Sequence, residues 1–267
     1  MKRLIINADD AGLSKEADSA IEQCFKAGAV TGTSIIACGP DFLEAVEMLR
    51  GMGKDEAGVH LALTGGFAPV SKDLGRIKTL LGEKGVFVKG YRQFAIRYFL
   101  GRISVDAISL ELACQIKKVR DAGLKITHVD SHEHIHMLPG VLKRVLVLAD
   151  EFKIPYVRFS SEKCGVMKRS FCVKDLLRYI CLKAFTPMAK RKIDSSNIKR
   201  NDSFLGHFHS GRVDDGILCS MMEGLKDGVT ELAVHPASNV ELETLLNGKW
   251  RTLAAEKGIR LVSHSEI

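Results

Sequence analysis

Short runs of β-forming residues alternate with amphipathic helical segments along nearly the whole chain of 267 residues. The runs that predict strands lie at 3–7, 33–38, 57–63, 125–130, 156–159, 203–207, 229–235 and 258–263. Ser14 is a candidate N-cap for the first helix, in which apolar residues recur at helical spacing. Because such alternation favours a parallel sheet, and about eight units suit a barrel, we expect an α/β fold, a distorted TIM-like (β/α) barrel with mostly parallel strands. An open doubly wound sheet is the alternative that the periodicity leaves open.

One irregular insert, at about residues 64–102, interrupts a chain that otherwise has no clear linker, so we expect a single domain over residues 1–267. Aromatic residues concentrate in this insert, namely Phe87, Tyr91, Phe94, Tyr98 and Phe99. They predict aromatic rings that stack on sugar faces or hold a lipid, a small satellite core, or, together with the basic residues between them, a surface that touches a membrane.

The composition is that of an ordinary soluble protein, with 46% hydrophobic and 27% charged residues. The seven cysteines are scattered without a Cys-x-x-Cys pair, which favours reduced thiols over a disulfide framework or a zinc knuckle. The first apolar run is too short for a signal-peptide core, and no run approaches the roughly 18 apolar residues of a membrane span. We therefore expect a cytoplasmic protein, peripheral at most to the inner face of the membrane.

The net charge of +7 is unevenly distributed. Residues 162–200 carry eleven Lys or Arg and three Asp or Glu, a net of +8 (11 − 3), which leaves the rest of the chain at −1 (7 − 8). This basic segment predicts either contact with an anionic partner, such as a membrane surface, or a solvated helix face. The chain has no recognised nucleic-acid motif, so we expect no nucleic-acid partner.

Polar side chains fall at the carboxyl ends of the predicted strands, where a parallel barrel places its active site. Asp9 and Asp10 follow the first strand, and the run HVDSHEHIH at 128–136 ends the fourth. Other polar residues on the same edge are His60, Arg158 and His235. If the histidine-rich run stays extended, alternate side chains share one face, namely Asp130, His132, His134 and His136. Burying such a face without a metal or charged partners would be costly, so the run predicts a metal or catalytic role.

One carboxylate with two imidazoles is a common ligand set of catalytic metals, because three protein ligands leave a position open for water or substrate. Mixed nitrogen and oxygen ligands suit Zn, Mn, Fe or Co, and Mg less well. A metal-bound water is a usable nucleophile near neutral pH, while a second aspartate can act as base and a separate histidine as acid. The pattern predicts a metal-dependent hydrolase, but it does not select which aspartate or which histidine binds the metal.

Four blocks of the sequence stand out, namely INADDAGLS, GVHLALT, THVDSHEHIHMLP and TELAVHPA. Their order and spacing resemble the signature blocks of the YdjC-like carbohydrate deacetylases, the ChbG/HpnK family, over essentially the whole chain. The resemblance implies a distorted (β/α) barrel, a homodimer and one divalent metal ion, Mg or Zn in the first place and otherwise Mn, Fe or Co. It also implies hydrolysis of the N-acetyl group of an acetylated amino sugar.

The same resemblance implies a role for five residues. Asp10, His60 and His132 match the family's metal ligands. Asp9 matches its general base, and His235 matches its general acid.

Three more residues are expected to contact substrate or to support the ligands, namely Arg158, His134 and His136. Arg158 resembles a family arginine that orients the base or contacts substrate. Ala11 departs from the Phe that many members have after the two aspartates, which changes a wall of the site and not a ligand. The segments GVFVKGYRQFAIRYFLGR and NDSFLGHFHSGR look closer to the hopanoid-associated branch, which implies a lipid-linked sugar.

Two other functions compete with this interpretation. An amidohydrolase or phosphoesterase usually places an H-x-H pair after its first strand, and a phosphoesterase often needs more carboxylates to bridge two metals. A non-catalytic sugar- or metal-binding protein on the same barrel is expected to have lost the base or the acid, and both Asp9 and His235 are present.

Overall fold

Seven parallel strands form the central sheet in a computed structural model that describes residues 1–162 and 173–267. The strands are β1 (Lys2–Ala11), β2 (Gly32–Ile35), β3 (Glu56–Leu61), β4 (Lys125–Ser131), β5 (Ser203–Leu205), β6 (Gly228–Val234) and β7 (Ile259–Leu261). Their order is β4, β3, β2, β1, β6 and β5, and β7 pairs with the first residues of β1. From Leu4 onward β1 is buried, as expected of a central parallel strand covered on both faces.

Residues 156–162 lie between the two edge strands and close the sheet into a barrel. They form single parallel bridges and no regular strand, with the pairs Val129 and Val157, Tyr156 and Lys199, and Glu162 and Phe204. The regular strand predicted at 156–159 is therefore wrong. The side-chain amide of Asn201 replaces a neighbouring strand at Phe159, because its Oδ1 accepts from the Phe159 N–H at 2.7 Å and its Nδ2 donates to the Phe159 carbonyl at 2.9 Å. The predicted distorted barrel is confirmed, and residues 156–162 are where it is distorted.

Helices cover the outside of the sheet. They are α1 (Lys15–Lys26), α2 (Phe42–Gly51), α3 (Leu74–Ile77), α4 (Tyr91–Phe99), α5 (Val105–Asp121), α6 (Pro139–Glu151), α7 (Val173–Asp194), α8 (Asp215–Glu223), α9 (Asn239–Asn247) and α10 (Lys249–Glu256). The predicted N-cap Ser14 is confirmed, since its hydroxyl accepts from the backbone N–H of Ala17 at 3.2 Å. Helix α1 buries the side of Ala17, Ile21 and Cys24 against the barrel.

The insert at 64–102 is less irregular than expected, because it contains α3 and α4. Its apolar side chains belong to the same hydrophobic core as the barrel, among them Ile77, Leu80, Phe87 and Phe94. Most of the predicted aromatic cluster is thus core, whereas Phe99 at the end of α4 is 53% exposed. No helix among the described residues is both long and apolar enough to cross a membrane.

Much of the predicted basic segment, 162–200, lies outside the described residues, and its side chains are described only at 162, at 180 and from 182 onward. In the described part, Lys190 and Arg200 both pair with Asp194. These exposed pairs neutralise part of the local charge and contribute little to the stability of the fold.

Candidate metal centre

The carboxyl ends of β1, β3, β4 and β6 bring the predicted polar residues to one edge of the barrel. Asp9 and Asp10 lie near the end of β1, and His60 in β3 is in register with Asp130 in β4. His235 directly follows β6. The structure therefore brings together residues that are far apart in the sequence, at the edge that the barrel prediction assigned to them.

Asp10, His60 and His132 form a cluster in which one atom from each side chain lies within 4.8 Å of the others. Asp10 Oδ1 is 3.2 Å from His60 Nε2 and 3.2 Å from His132 Nδ1. Asp10 and His60 are buried, whereas the His132 side chain is 25% exposed and its ring meets the Phe67 ring edge to face. One carboxylate and two imidazoles with an open side match the ligand set of a catalytic divalent metal.

The His60 ring is held in the orientation that metal binding requires. Its Nδ1 lies 2.8 Å from Asp130 Oδ1, and the Ser34 hydroxyl donates to Asp130 Oδ2 at 2.9 Å. A proton on Nδ1 that is donated to Asp130 leaves Nε2 for a cation, as in many carboxylate–histidine–metal arrangements. Burial lowers the pKa of His60, but Asp130 and Asp10 outweigh it and hold this pKa well above its usual value. The site therefore favours a positive charge beside Nε2.

Two turns at the site have left-handed backbone at residues other than glycine. Asp10 has φ of 71°, and the consecutive residues Glu133 and His134 have φ of 55° and 56°. Such conformations cost about 1–3 kcal/mol each and persist where surrounding contacts enforce them. After Asp10, the N–H of Gly12 donates to the buried Asp18 carboxylate at 2.7 Å, which holds the turn in place.

Residues 128–136 do not stay extended, so the condition under which their alternate side chains would share one face is not met. Strand β4 ends at Ser131, and residues 132–137 form a tight 3-10 turn around Glu133 and His134. Ser131 stabilises this turn, because its hydroxyl accepts from the backbone N–H of His136 at 3.0 Å. His134 and His136 consequently leave the face that carries Asp130 and His132.

His136 and His134 have other partners. His136 Nε2 is 2.9 Å from the Arg158 carbonyl oxygen and its Nδ1 is 2.5 Å from the Ser131 hydroxyl. Burial lowers the pKa of His136 to about 4, so this ring is neutral at physiological pH. His134 Nδ1 is 3.2 Å from the Ser160 hydroxyl. Neither side chain joins the cluster of Asp10, His60 and His132.

Asp9 is held by the fully buried guanidinium of Arg158. Arg158 Nη1 donates to Asp9 Oδ2 at 2.6 Å and Nη2 donates to Oδ1 at 2.7 Å, while Asn7 Nδ2 donates to Oδ1 at 2.8 Å. Burial raises the pKa of Asp9, but Arg158 outweighs it and the pKa falls to about 2. Asp9 is therefore a fixed, ionised carboxylate next to the candidate metal ligand Asp10.

His235 lies at the same edge with a side chain that is 26% exposed. The Ser210 hydroxyl is 3.3 Å from both ring nitrogens, Nδ1 and Nε2, and the buried Glu241 Oε2 is 4.0 Å from Nδ1. Glu241 also accepts from the backbone N–H of His235 at 2.5 Å. The His235 ring thus has neighbours that orient it, and part of the side chain is exposed, as a proton donor to a substrate requires.

The sequence prediction of the site missed Glu231, Asn7 and Ser34, which hold Arg158, Asp9 and Asp130. Glu231 is a single acidic residue inside the apolar strand β6, with no spacing motif around it. A buried carboxylate in an apolar strand needs a cationic partner. The sequence does contain a matching cation, because Arg158 is equally isolated in the predicted strand at 156–159, and pairing the two would have identified Glu231.

Comparisons with known proteins are consistent with this geometry. A family model described as YdjC-like protein matches residues 3–256. A carbohydrate deacetylase of Thermoanaerobacter pseudethanolicus is 31% identical over 237 residues, covering 89% of this chain and 82% of that protein. One of Brevibacillus brevis is 28% identical over 99% of both chains, and one of Homo sapiens is 29% identical over 88% of this chain and 74% of that protein.

Two solved structures share the fold. A putative cellobiose-phosphate cleavage protein from Enterococcus faecalis V583 has a TM-score of 0.77 at 24% identity, over 99% of this chain and 98% of that one. A mutant of a CE4 family pseudoenzyme with restored activity has a TM-score of 0.50 at 13% identity, over 99% of this chain and 66% of that one. The donor set of Asp10, His60 and His132 indicates a site for a divalent metal ion.

Replacing Asp130 tests whether the carboxylate behind His60 supports metal binding. We expect Asp130→Asn to weaken the affinity for a divalent metal about 10- to 100-fold, because His60 loses the partner that fixes its ring and raises its basicity. Isothermal titration of metal-stripped protein measures this change. Ser160→Ala, which removes a hydroxyl that contacts His134 and not His60, is the control and should bind metal like the wild type. Equal affinities of Asp130→Asn and wild type would contradict the prediction.

Proposed function

Because the chain belongs to the YdjC-like family, we propose that it is a metal-dependent carbohydrate deacetylase. It hydrolyses the N-acetyl group of an acetylated amino sugar and releases acetate and a free amine. The observation that supports this function best is the cluster of Asp10, His60 and His132 beside the ionised Asp9. Its relatives from bacteria and animals are named carbohydrate deacetylase, which supports the same substrate class.

Asp10, His60 and His132 would hold one divalent ion, with the two imidazoles favouring Zn and with Mg, Mn, Fe or Co as alternatives. When bound, such an ion polarises a carbonyl oxygen and lowers the pKa of a water molecule towards neutrality. The exposed side of His132 leaves the substrate a path to this centre.

Asp9 is the proposed base. A carboxylate offers about four lone-pair sites, and three hydrogen bonds from Arg158 and Asn7 occupy three of them. The remaining lone pair on Asp9 Oδ2 can accept a proton from a water molecule while the oxygen of that water attacks the acetyl carbon. Since the pKa of Asp9 is about 2, the side chain is ionised at neutral pH and needs no prior deprotonation.

His235 is the proposed acid. As the bond between the carbonyl carbon and the sugar nitrogen breaks, the nitrogen takes a proton from the ring of His235 and leaves as an amine. Ser210 and Glu241 lie next to that ring, and the side chain is 26% exposed at the edge of the barrel that also carries the candidate metal ligands. Arg158 keeps the base in place.

The arrangement disfavours the two competing functions. A second bridging metal, as in many phosphoesterases, would need carboxylates beyond the Asp10 cluster. Asp9, His60 and Asp130 also lie within 4.8 Å of one another, but both of these aspartates are paired with Arg158. A protein that only binds sugar has no need for an ionised base and an oriented acid at the same edge.

The finer identity of the substrate and partners remains a prediction. A lipid-linked sugar and contact with a membrane surface are supported by the exposed apolar side chains of Ile96 and Phe99 in α4, of Leu100 directly after it, and of Ile180 in α7. Co-sedimentation with anionic liposomes at low salt tests this contact, and failure to bind would contradict it. A cytoplasmic location and a homodimer likewise stay predictions from the sequence.

Replacing the base separates binding from turnover. We expect Asp9→Asn to bind a divalent metal like the wild type and to release acetate at least about 100-fold more slowly, because an amide cannot accept the proton of the attacking water. Acetate release from a panel of N-acetylglucosamine-bearing substrates measures the rate. Wild-type turnover by Asp9→Asn would refute the assignment of the base, and no acetate from the wild type with any acetylated sugar would refute the function.

Replacing the acid should matter only when the leaving amine needs a proton. We expect His235→Asn to lower the rate about 100- to 10,000-fold on an N-acetyl amino sugar and much less on an aryl acetate, whose leaving group departs without protonation. Parallel rate measurements with both substrates test this. Equal losses on both substrates would contradict the role of His235 as a proton donor.

A further inference from the structure

Three carboxylates share the buried guanidinium of Arg158, and two of them lie at the proposed active site. Nη1 and Nη2 donate to Asp9, and Nη2 also lies 2.7 Å from Asp130 Oδ2. The third partner is Glu231, whose Oε1 accepts from Arg158 Nε at 2.5 Å. Three N–H groups of the guanidinium donate hydrogen bonds, two to Asp9 and one to Glu231, and the contact with Asp130 is an ion pair, so the guanidinium plane is fixed on two sides.

Glu231 lies below the site and away from substrate. It is in register with Ile5 of β1, four positions before Asp9, and it has no exposed surface. The Tyr156 hydroxyl donates to Glu231 Oε2 at 2.8 Å, and His264 Nε2 is 3.6 Å from Oε1. Glu231 is thus itself held from the amino-terminal side of the barrel, and it touches neither the candidate metal ligands nor the open edge.

We propose that Glu231 is a positioning residue for the deacetylation proposed above, an inference that rests on that function. It accepts a hydrogen bond from Arg158 Nε, and it thereby fixes the plane in which Nη1 and Nη2 donate to the two oxygens of Asp9. It also takes a share of the guanidinium charge, so Asp9 remains a usable proton acceptor although it is tightly bound.

The charge balance of the cluster explains why this third partner matters. A single buried guanidinium faces three buried carboxylates, and such ions interact strongly because little water screens them. Without the charge of Glu231, Arg158 is attracted by Asp9 and Asp130 alone. The guanidinium then moves towards Asp9 and Asp130 and binds Asp9 more tightly. As a result, the free lone pair of Asp9 turns away from the attacking water.

The decisive variant is Glu231→Gln, which removes the charge and keeps the shape. We expect kcat to fall about 10- to 100-fold while KM and metal affinity stay within about twofold of wild type, because a misplaced base slows the chemical step without loosening binding. Tyr156→Phe removes one anchor of Glu231 and should cause a smaller fall in kcat in the same direction. The control for lost stability is Leu218→Ala, a buried truncation in α8 that touches none of these groups.

A second readout does not depend on turnover. The Nε–H proton of Arg158, bonded to a carboxylate, should give a shifted and slowly exchanging NMR signal in the metal-free wild type. We expect this signal to move and to exchange faster in Glu231→Gln and to be unchanged in Leu218→Ala. This signal reports the hydrogen bond from Arg158 Nε to Glu231 even if the wild type is inactive on every acetylated sugar. Such inactivity would refute the proposed function, but not the contact between Glu231 and Arg158.

Three results would overturn the proposal. One is a wild-type kcat in Glu231→Gln. Another is a loss of kcat that only follows the loss of thermal stability, as in Leu218→Ala. The third is an Arg158 Nε–H signal that does not change when Glu231 is replaced.

Discussion

The buried guanidinium of Arg158 is the interaction on which the rest of the site depends. It neutralises part of the charge of Asp9, Asp130 and Glu231, which no apolar barrel interior would tolerate unpaired. Through Asp130 it supports the orientation of His60, and through Asp9 it fixes the proposed base. The same side chain comes from residues 156–162, the segment that closes the barrel with single bridges. Closure of the fold and assembly of the site therefore depend on one short segment.

The backbone at the site adds a second constraint. Asp10 and the pair Glu133 and His134 adopt left-handed conformations that cost free energy, and this strain turns the chain sharply at the ends of β1 and β4. The turn at Asp10 directs its carboxylate towards His60, and the turn after His132 leaves that ring at the open edge. If β1 and β4 continued as regular strands, the side chains of Asp10 and His132 would not meet at this edge.

The sequence predicted the barrel and the edge on which the polar residues meet, because strand spacing and polar strand ends are local signals. The choice of Asp10, His60 and His132 as ligands came from family resemblance, and the structure brings those three residues together. A shared face for residues 128–136 depended on an extended chain, which the structure does not have. The left-handed turn at Glu133 and His134 was not predictable from local sequence, because neither residue is a glycine. Glu231 went unnoticed because its partner is a residue 73 positions away, and such pairing is a property of the fold.

The central claim is that one metal ion held by Asp10, His60 and His132 is required for deacetylation. The most direct test strips the protein with a chelator, adds divalent metal stepwise and measures acetate release from an N-acetylglucosamine-bearing substrate at each step. We expect the stripped protein to be inactive and the rate to rise until about one equivalent of metal per chain is bound, as a single catalytic site requires. Acetate release at the full rate by the stripped protein would contradict the account.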